Sequence, residues 1–221
     1  MKKVKWWGWI LIVLGILLTI GGLFILQPWV FLSHKHIEIS LPFPPEADSY
    51  TDLIPMGEIE QWHNASTGLP NGHPGIDFGW EKETDILAVA DGRIISIRKN
   101  HENQFIVEQS LGLYYRTVYQ ELNKLEPNIR FLSKIKKGQV IGQTGRPHAE
   151  GMELQSGAPS RQTHWDFASS SYSINRLCPL GYFDTDSQKR IEGIWANMKA
   201  KGQYKPEYPN ICNGYYKNRE D

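Results

Sequence analysis

The pattern of apolar and polar positions divides the chain into stretches of different character. From Trp6 to Ser33 no residue carries a charge, and this run exceeds the roughly 20 apolar residues that cross a bilayer as a helix. Residues 34–60 are rich in proline and acidic side chains. They predict an extended linker, because a proline disfavours helix at the residue before it. After residue 61, short apolar runs alternate with turn residues, which favours antiparallel β structure.

The chain from residue 61 to 170 contains six short predicted strands. Asp91-Gly92 is a dipeptide typical of tight hairpins, and it predicts that the strands on either side of it pair with each other. Further on, the apolar positions of Ile191–Lys199 recur at helical spacing and predict one short helix. The predicted strands are Ile86–Ala90, Arg93–Arg98, Gln104–Gln109, Leu113–Tyr119, Gln139–Gly142 and Thr163–Ala168. The pattern predicts a mainly β, antiparallel domain over 61–170 and a small C-terminal extension over 171–221.

The flanks of the apolar run predict its orientation. Met1–Lys5 is basic, and basic residues stay on the cytoplasmic side of a membrane helix. A cleaved signal peptide is the alternative, but its apolar region covers about 7–15 residues and ends at a small-x-small site. Gln27–Leu32 offers no such site. We therefore expect a cytoplasmic stub and a retained single-pass transmembrane anchor over residues 1–33, with the domain in the periplasm or at the cell exterior.

Charge and cysteine content narrow the choice of partners and compartment. The net charge is zero, so nothing in the composition indicates a nucleic-acid partner. The two cysteines, Cys178 and Cys212, both follow the predicted anchor and form no C-x-x-C pair. In an oxidising compartment such a pair is most simply a disulfide, with a reactive or metal-binding role as the alternative. We expect this disulfide to close the C-terminal extension.

Two clusters of histidine and aspartate carry the candidate chemistry. His73 and Asp77 are four residues apart, so one turning segment can bring both to a single metal ion. His164 and Asp166 are two apart, and alternate residues of a strand point to the same face of a sheet. Zn²⁺ accepts imidazole nitrogen and carboxylate oxygen, and a catalytic zinc site needs three protein ligands and one open position. The spacing predicts a zinc site shared between two distant segments.

Four segments around these clusters follow one another in a recognisable order. They are Gly72–Phe78, Ala88–Ile94, Lys136–Gly142 and His164–Phe167. In this order they resemble the motifs of the LytM or lysostaphin type of zinc metallopeptidase, the M23 family: H-x-x-x-D, A-V-A-D-G-x-V, a lysine-glycine turn and a terminal H-x-H. The resemblance covers about residues 61–170. It implies an antiparallel sheet with a groove, Zn²⁺ as the cofactor and peptidoglycan peptides as the substrate.

The resemblance also implies roles for single residues. His73 and Asp77 match two zinc ligands, Asp166 occupies the position of the third ligand, and His164 matches a catalytic histidine. Asp166 then stands where the family has the second histidine of H-x-H. Two carboxylates neutralise more of the charge of the ion than one, so the ion should polarise water less strongly. A harder divalent ion such as Mn²⁺ becomes an alternative to Zn²⁺.

The second departure from the family concerns Glu121. Thr117–Leu122 resembles the family's T-L-Y-A-H-L, and Glu121 stands in the place of the histidine that helps to stabilise the transition state. An ionised carboxylate cannot donate a hydrogen bond to an oxyanion. It can act as a general base toward water within hydrogen-bond reach, and we predict that role for Glu121.

Residues 146–162 form a longer connection than the family has. One interpretation is a solvated polar insertion, because such loops are common at protein surfaces. The other is functional, since long loops often carry binding or catalytic groups. In that case His148 would replace the histidine that is missing at Asp166 or at Glu121.

Three functions are compatible with these observations. The first is a membrane-anchored zinc metalloendopeptidase that cuts the peptides of cell-wall peptidoglycan. The second is a catalytically impaired domain that binds the wall, or that activates or scaffolds another envelope protein. The third is a purely structural part of an envelope complex. The retained His73, Asp77 and His164 favour the first, and the altered Glu121 and Asp166 favour the second.

Overall fold

The protein has two compact units, Met1–Lys35 and His36–Asp221. The computed structural model describes residues 6–26, 37–57, 72–145, 161–170, 174–202 and 210–213. The first unit contains helix α1, Trp6–Leu26. Within it, Trp6–Leu23 is long enough and apolar enough to cross a membrane, a property that a signal sequence shares.

The second unit is built on an antiparallel sheet, which confirms the predicted fold class. Ten strands contribute to this sheet among the described residues, and seven of them follow the order β1-β3-β10-β7-β6-β5-β8. The strands are β1 Thr51–Ile54, β2 Met56–Gly57, β3 Ile76–Trp80, β4 Asp85–Leu87, β5 Gly92–Lys99, β6 Phe105–Leu111, β7 Tyr115–Leu125, β8 Lys134–Ile135, β9 Val140–Thr144, β10 Arg161–Ser170, β11 Ile174–Arg176 and β12 Cys212–Asn213. The order places β3, β10 and β7 side by side.

The predicted hairpin at Asp91-Gly92 is wrong. Strand β4 pairs with β9, whereas β5 pairs with β6 and β8. The Asp91 carboxylate accepts hydrogen bonds from Lys136 Nζ at 2.6 Å and from the Lys137 backbone N–H at 2.9 Å. Asp91 therefore binds the later Lys136–Lys137 turn, and a contact distant in sequence replaces the local pairing that the dipeptide predicted.

The segment predicted as an extended linker, residues 34–60, is also different over its described part, 37–57. The side chains of Ile39, Leu41 and Phe43 are buried in the core. Strand β1 pairs with β3 along its whole length. Pro42 is buried with these side chains and Ser40 is half-buried, so this stretch is part of the domain and does not extend the chain away from it.

The C-terminal extension packs on the same core. Helix α2, Thr185–Ala200, is longer than the predicted Ile191–Lys199 because Asp184 caps it: its carboxylate accepts a hydrogen bond from the Ser187 N–H at 2.8 Å. The helix buries Ile191, Ile194, Trp195 and Met198. Cys178 and Cys212 form a disulfide, and β12 pairs in parallel with β2.

Candidate metal centre

The pairing of β3 with β10 brings the two sequence clusters together. Asp77 and His164 are direct cross-strand partners, so their side chains leave the sheet on the same face. His73 precedes β3 and is held by β2, because its backbone N–H and C=O both exchange hydrogen bonds with Gly57, at 2.6 and 2.9 Å. All three side chains are buried. The fold thus collects three candidate ligands from segments about 90 residues apart in sequence.

Three ligand atoms converge at one point. His73 Nε2 lies 3.1 Å from His164 Nδ1 and 3.2 Å from Asp77 Oδ1. His164 Nδ1 lies 2.5 Å from Asp77 Oδ1. A tetrahedral ion with ligand distances of 2.0–2.2 Å holds its ligand atoms about 3.3 Å apart. Two of the three separations already match that value, and the third has the length of a hydrogen bond, so the residues fit a Zn²⁺ ion after a small opening.

The second nitrogen of each imidazole faces an oxygen atom. His73 Nδ1 donates to the Pro55 carbonyl oxygen at 2.8 Å, which places the proton on Nδ1 and leaves the lone pair of Nε2 for the ion. His164 Nε2 faces Asp166 Oδ1 at 3.4 Å. Orienting partners behind the metal-facing nitrogens are typical of metal-binding histidines.

Gly75 allows the His73–Asp77 turn to lie directly on β10. A Cβ at this position would lie 2.2 Å from the Trp165 carbonyl oxygen and 3.2 Å from Asp166 Oδ1. No side chain fits into that space, since real Cβ contacts are longer. The close approach keeps His73 and Asp77 next to His164.

Asp166, which we predicted as the third metal ligand, lies behind His164 and does not join the cluster of ligand atoms, which consists of His73, Asp77 and His164. It is fully buried. Its Oδ2 accepts a hydrogen bond from Gln120 Nε2 at 3.0 Å, and its Oδ1 lies 3.3 Å from Arg176 Nε. Strand pairing explains this arrangement: His164 lies opposite Asp77, and Asp166, two residues further along β10, lies outside the cluster of candidate ligand atoms.

The role predicted for His164 changes with this register. Within the cluster, His164 takes the place that the second histidine of H-x-H has in the family, so the first position of that motif corresponds to Gln162. Gln162 is buried and pairs with Gly79 on β3. A carboxamide does not exchange protons near neutral pH. The position that carries a catalytic histidine in the family therefore holds a group that can form hydrogen bonds but cannot act as an acid or a base.

Neighbouring charged groups outweigh burial in setting the pKa values of Asp77, His164 and Asp166. Burial alone would raise the pKa of Asp77, but His73 and His164 hold that pKa well below its usual range. Burial would lower the pKa of His164, and the carboxylates of Asp166 and Asp77 raise it well above the usual value. Burial would likewise raise the pKa of Asp166, which His164, Arg176 and Gln120 keep lowered. Both carboxylates are therefore ionised at neutral pH.

Glu121 lies on β7 in a strained backbone conformation. Its φ is 64°, in the left-handed region that residues with a side chain rarely adopt. The register of β6 on β7 shifts beside it, between Phe105 and Val107, as at a β-bulge, and bulges of this kind are common next to active sites. Its Oε2 is buried without a hydrogen-bond partner among the described residues. Burial, reinforced by Asp77 and opposed by His164, raises the pKa of Glu121 to about 7.

Three residues of this centre, Pro55, Gln162 and Arg176, were not among those predicted from the sequence. Pro55 contributes only its carbonyl oxygen, and no sequence pattern marks such a role. Gln162 and Arg176 depend on the register of β10 and on its pairing with β11. The period-two spacing of the sequence does not predict that register, because Gln162, His164 and Asp166 all lie on one face of the strand. His148 lies outside the described residues.

The fold and the cluster together define a class: a mainly β protein with a His₂-Asp centre suited to a divalent metal. Residues 71–167 match the family described as Peptidase family M23. The chain therefore contains a domain of peptidase family M23. The match ends before β11, so the disulfide and helix α2 lie outside the matched segment.

Several solved structures are similar to this chain. Lysostaphin from Staphylococcus simulans is 19% identical with a TM-score of 0.49, over 70% of this chain and 56% of that chain. A zinc-containing peptidase from Vibrio cholerae is 18% identical with a TM-score of 0.47, over 61% of this chain and 37% of that chain. A chain of the SpoIIQ-SpoIIIAH pore-forming complex is 18% identical with a TM-score of 0.48, over 72% of this chain and 98% of that chain. The match thus spans less than two thirds of the lysostaphin and Vibrio cholerae chains.

Proposed function

We propose that this protein is a membrane-anchored, metal-dependent endopeptidase that cuts the peptides of cell-wall peptidoglycan. The observation that supports this most is the convergence of His73 Nε2, Asp77 Oδ1 and His164 Nδ1 to within 3.2 Å of one another. The partners behind both imidazoles add to it. Membership of the M23 family supplies the reaction class, and the resemblance to wall-lytic members supplies the substrate class.

The proposed cofactor is Zn²⁺. When bound, the ion would polarise a peptide carbonyl and acidify water. The ligand set of two neutral imidazoles and one carboxylate is that of several catalytic zinc sites. The second carboxylate, Asp166, lies behind His164 instead of on the ion. With one carboxylate on the ion, there is no longer a reason to expect weaker polarisation of water or to name Mn²⁺ as the alternative ion.

Glu121 is the proposed proton-transfer group. It lies on β7, the strand that pairs with β10, and burial, reinforced by the charge of Asp77 and opposed by that of His164, raises its pKa to about 7, close to a working pH. A group with such a pKa can accept a proton from attacking water and return it to the leaving amine. Gln162 can contribute only hydrogen bonds to the substrate, so Glu121 would carry both proton transfers.

The absence of a titratable group at Gln162 supports a second candidate function. A domain that keeps the ion and the sheet but has lost one of its proton-transfer groups could bind wall peptides, or position another envelope protein, without cutting. In that case the metal would stabilise a binding surface. The two candidates agree on the metal and differ in whether peptide bonds are cleaved.

One experiment separates them. The full-length protein is purified in detergent, its zinc content is measured by elemental analysis, and it is incubated with wall sacculi. We expect about one zinc per chain and the release of soluble fragments with new amino groups. Glu121→Gln should keep the zinc and lose activity by about 10²- to 10⁴-fold, the usual contribution of a general acid-base group. His73→Ala, the matched control, should lose both.

Other outcomes would change the conclusion. Stoichiometric zinc with sacculus binding but no soluble fragments would support the second candidate. A wild-type chain without bound metal would contradict both. If Glu121→Gln cleaved as fast as the wild type, the peptidase would stand and the role of Glu121 would be wrong.

The proposed location is the outer side of the cytoplasmic membrane, with α1 retained as an anchor. An apolar helix long enough to span a bilayer and a disulfide in the domain both support it, because structural disulfides persist in oxidising compartments. A protease added to intact spheroplasts should remove the domain and leave a membrane-bound stub. Full protection of the domain would contradict this topology.

A further inference from the structure

The backbone that holds His73 is itself held by the C-terminal end of the described chain. Strand β12 pairs with β2, with Cys212 opposite Met56 and Asn213 opposite Gly57. The contact is close, because a Cβ at Gly57 would lie 1.7 Å from the Asn213 carbonyl oxygen. Gly57 in turn exchanges two backbone hydrogen bonds with His73. The position of β12 therefore fixes the position of the His73 backbone.

The same strand β2 adjoins the carbonyl that orients the His73 ring. Pro55, which accepts the hydrogen bond of His73 Nδ1 at 2.8 Å, immediately precedes β2. The next residue, Met56, donates its N–H to the Ile211 carbonyl oxygen at 2.9 Å. A displacement of residues 211–213 would therefore move the acceptor that selects the metal-facing nitrogen of His73.

The support of His164 also comes from outside the matched family segment. Strand β11 pairs with β10, and Arg176 at its end reaches Asp166 Oδ1 at 3.3 Å. The same oxygen faces His164 Nε2 at 3.4 Å. Leu177, the residue after β11, donates its N–H to the Phe167 carbonyl oxygen at 2.8 Å. Arg176 and its strand thus hold the carboxylate that lies behind the second imidazole.

One covalent bond joins these two supports. Cys178 follows Arg176 by two residues, Cys212 is the first residue of β12, and the two form a disulfide. We infer that the Cys178–Cys212 bond, with β11 and β12, is a positioning element of the metal centre that fixes His73 and His164 from behind. The inference rests on the proposed metal site. It goes further in giving the C-terminal extension a direct part in metal affinity.

A disulfide that only stabilised the fold would behave differently. Loss of such a bond would lower the free energy of unfolding and leave the metal affinity of the folded protein unchanged. Loss of groups that orient metal ligands typically weakens metal binding by about 10- to 100-fold. The zinc dissociation constant therefore separates the two roles, and it does not depend on activity.

The test compares two variants of the full-length protein in detergent. Cys178→Ser with Cys212→Ser removes the bond without leaving thiols that could bind zinc. Arg190→Met is the matched control: it removes an arginine from helix α2 of the same extension, where Arg190 binds Asp48 at 2.8 Å. Arg190 contacts Asp48 and the Phe43 carbonyl oxygen and neither histidine support. Zinc affinity is measured by competition with a chromophoric chelator, and folding by thermal unfolding of the metal-free protein.

We expect the double serine variant to bind zinc at least about tenfold more weakly than the wild type, and Arg190→Met to bind as the wild type does. Equal affinity in the double variant and the wild type would overturn the inference, and so would equal weakening in both variants. A wild type without zinc would overturn the proposed function as well. If the double variant does not fold, Asn213→Ala decides by the same criterion, because it removes the two hydrogen bonds between Asn210 and Asn213 and leaves the disulfide intact.

Discussion

His164 lies directly opposite Asp77 across β10 and β3, with Nδ1 of the imidazole 2.5 Å from Oδ1 of the carboxylate. This pairing makes His164 the third candidate metal ligand. It leaves Asp166 behind His164, outside the cluster of candidate ligand atoms, and it places Gln162 at the position where the family has a catalytic histidine.

The two residues of the His164–Asp166 pair should differ in their effect on metal binding. His164→Ala removes a ligand, so we expect the loss of stoichiometric zinc. Asp166→Asn removes only the carboxylate behind the imidazole, so zinc should remain at about one per chain with affinity weakened by about 10- to 100-fold. Elemental analysis and chelator competition measure both. Loss of all zinc in Asp166→Asn would restore Asp166 as a ligand.

Glu121 should make the metal-free protein less stable as the pH rises. Its pKa is about 7 in the folded protein against 4.5 for an ordinary glutamate. Below about pH 4.5 the group is protonated in both states and contributes nothing. Between these pKa values the unfolded chain releases the proton and the folded protein keeps it, so the free energy of unfolding falls as the pH rises. The full cost, about 3 kcal/mol at most, is reached above pH 7.

Glu121→Gln removes this titration and provides the comparison. Urea unfolding of both proteins in the presence of a chelator should give similar free energies of unfolding at pH 5. At pH 8 the Gln variant should be the more stable. If the difference in the free energy of unfolding between the two proteins stayed constant from pH 5 to pH 8, the pKa of Glu121 would not be raised by burial.

Gly75 should not tolerate any side chain. Gly75→Ala would place a Cβ 2.2 Å from the Trp165 carbonyl oxygen, and relief of such a clash costs about 1–3 kcal/mol. The turn would move away from β10 and zinc affinity would fall with it. Gly193→Ala is the control, because its Cβ would meet nothing within 4 Å on helix α2. It should increase the free energy of unfolding by about 1 kcal/mol. Equal stabilities of the two variants would contradict the close packing of the turn.

Phe43 tests whether the residues before β1 belong to the domain. Its side chain is fully buried and its ring packs edge-on against Phe78 and Trp80, with centroids 4.9 and 5.2 Å apart. Phe43→Ala should cost about 3–5 kcal/mol of the free energy of unfolding, as truncation of a buried aromatic does. A linker residue would cost almost nothing, so a change below about 0.5 kcal/mol would support the original prediction.

The sequence by itself determined the class of fold and most of the chemistry. The uncharged run at the N-terminus, the period-two strands and the His73 and Asp77 pair are local patterns, and local patterns survive folding because they arise from neighbouring residues. The antiparallel β domain followed from the strand pattern, and the resemblance to the M23 family rested on four short motifs that are each local as well. Strand boundaries shifted by a few residues, since pairing partners extend or shorten a strand regardless of its own propensity.

Tertiary structure alone decided which residues of the second cluster meet the ion. Gln162, His164 and Asp166 share one face of β10, so a shift of the strand by two residues would bring a different one of them opposite Asp77. Only the observed pairing with β3 selects His164 for this position. Pro55, Arg176 and the Cys178–Cys212 bond come from segments that carry no candidate ligand. Their roles depend on which strands lie side by side, which is a property of the whole chain and not of any segment within it.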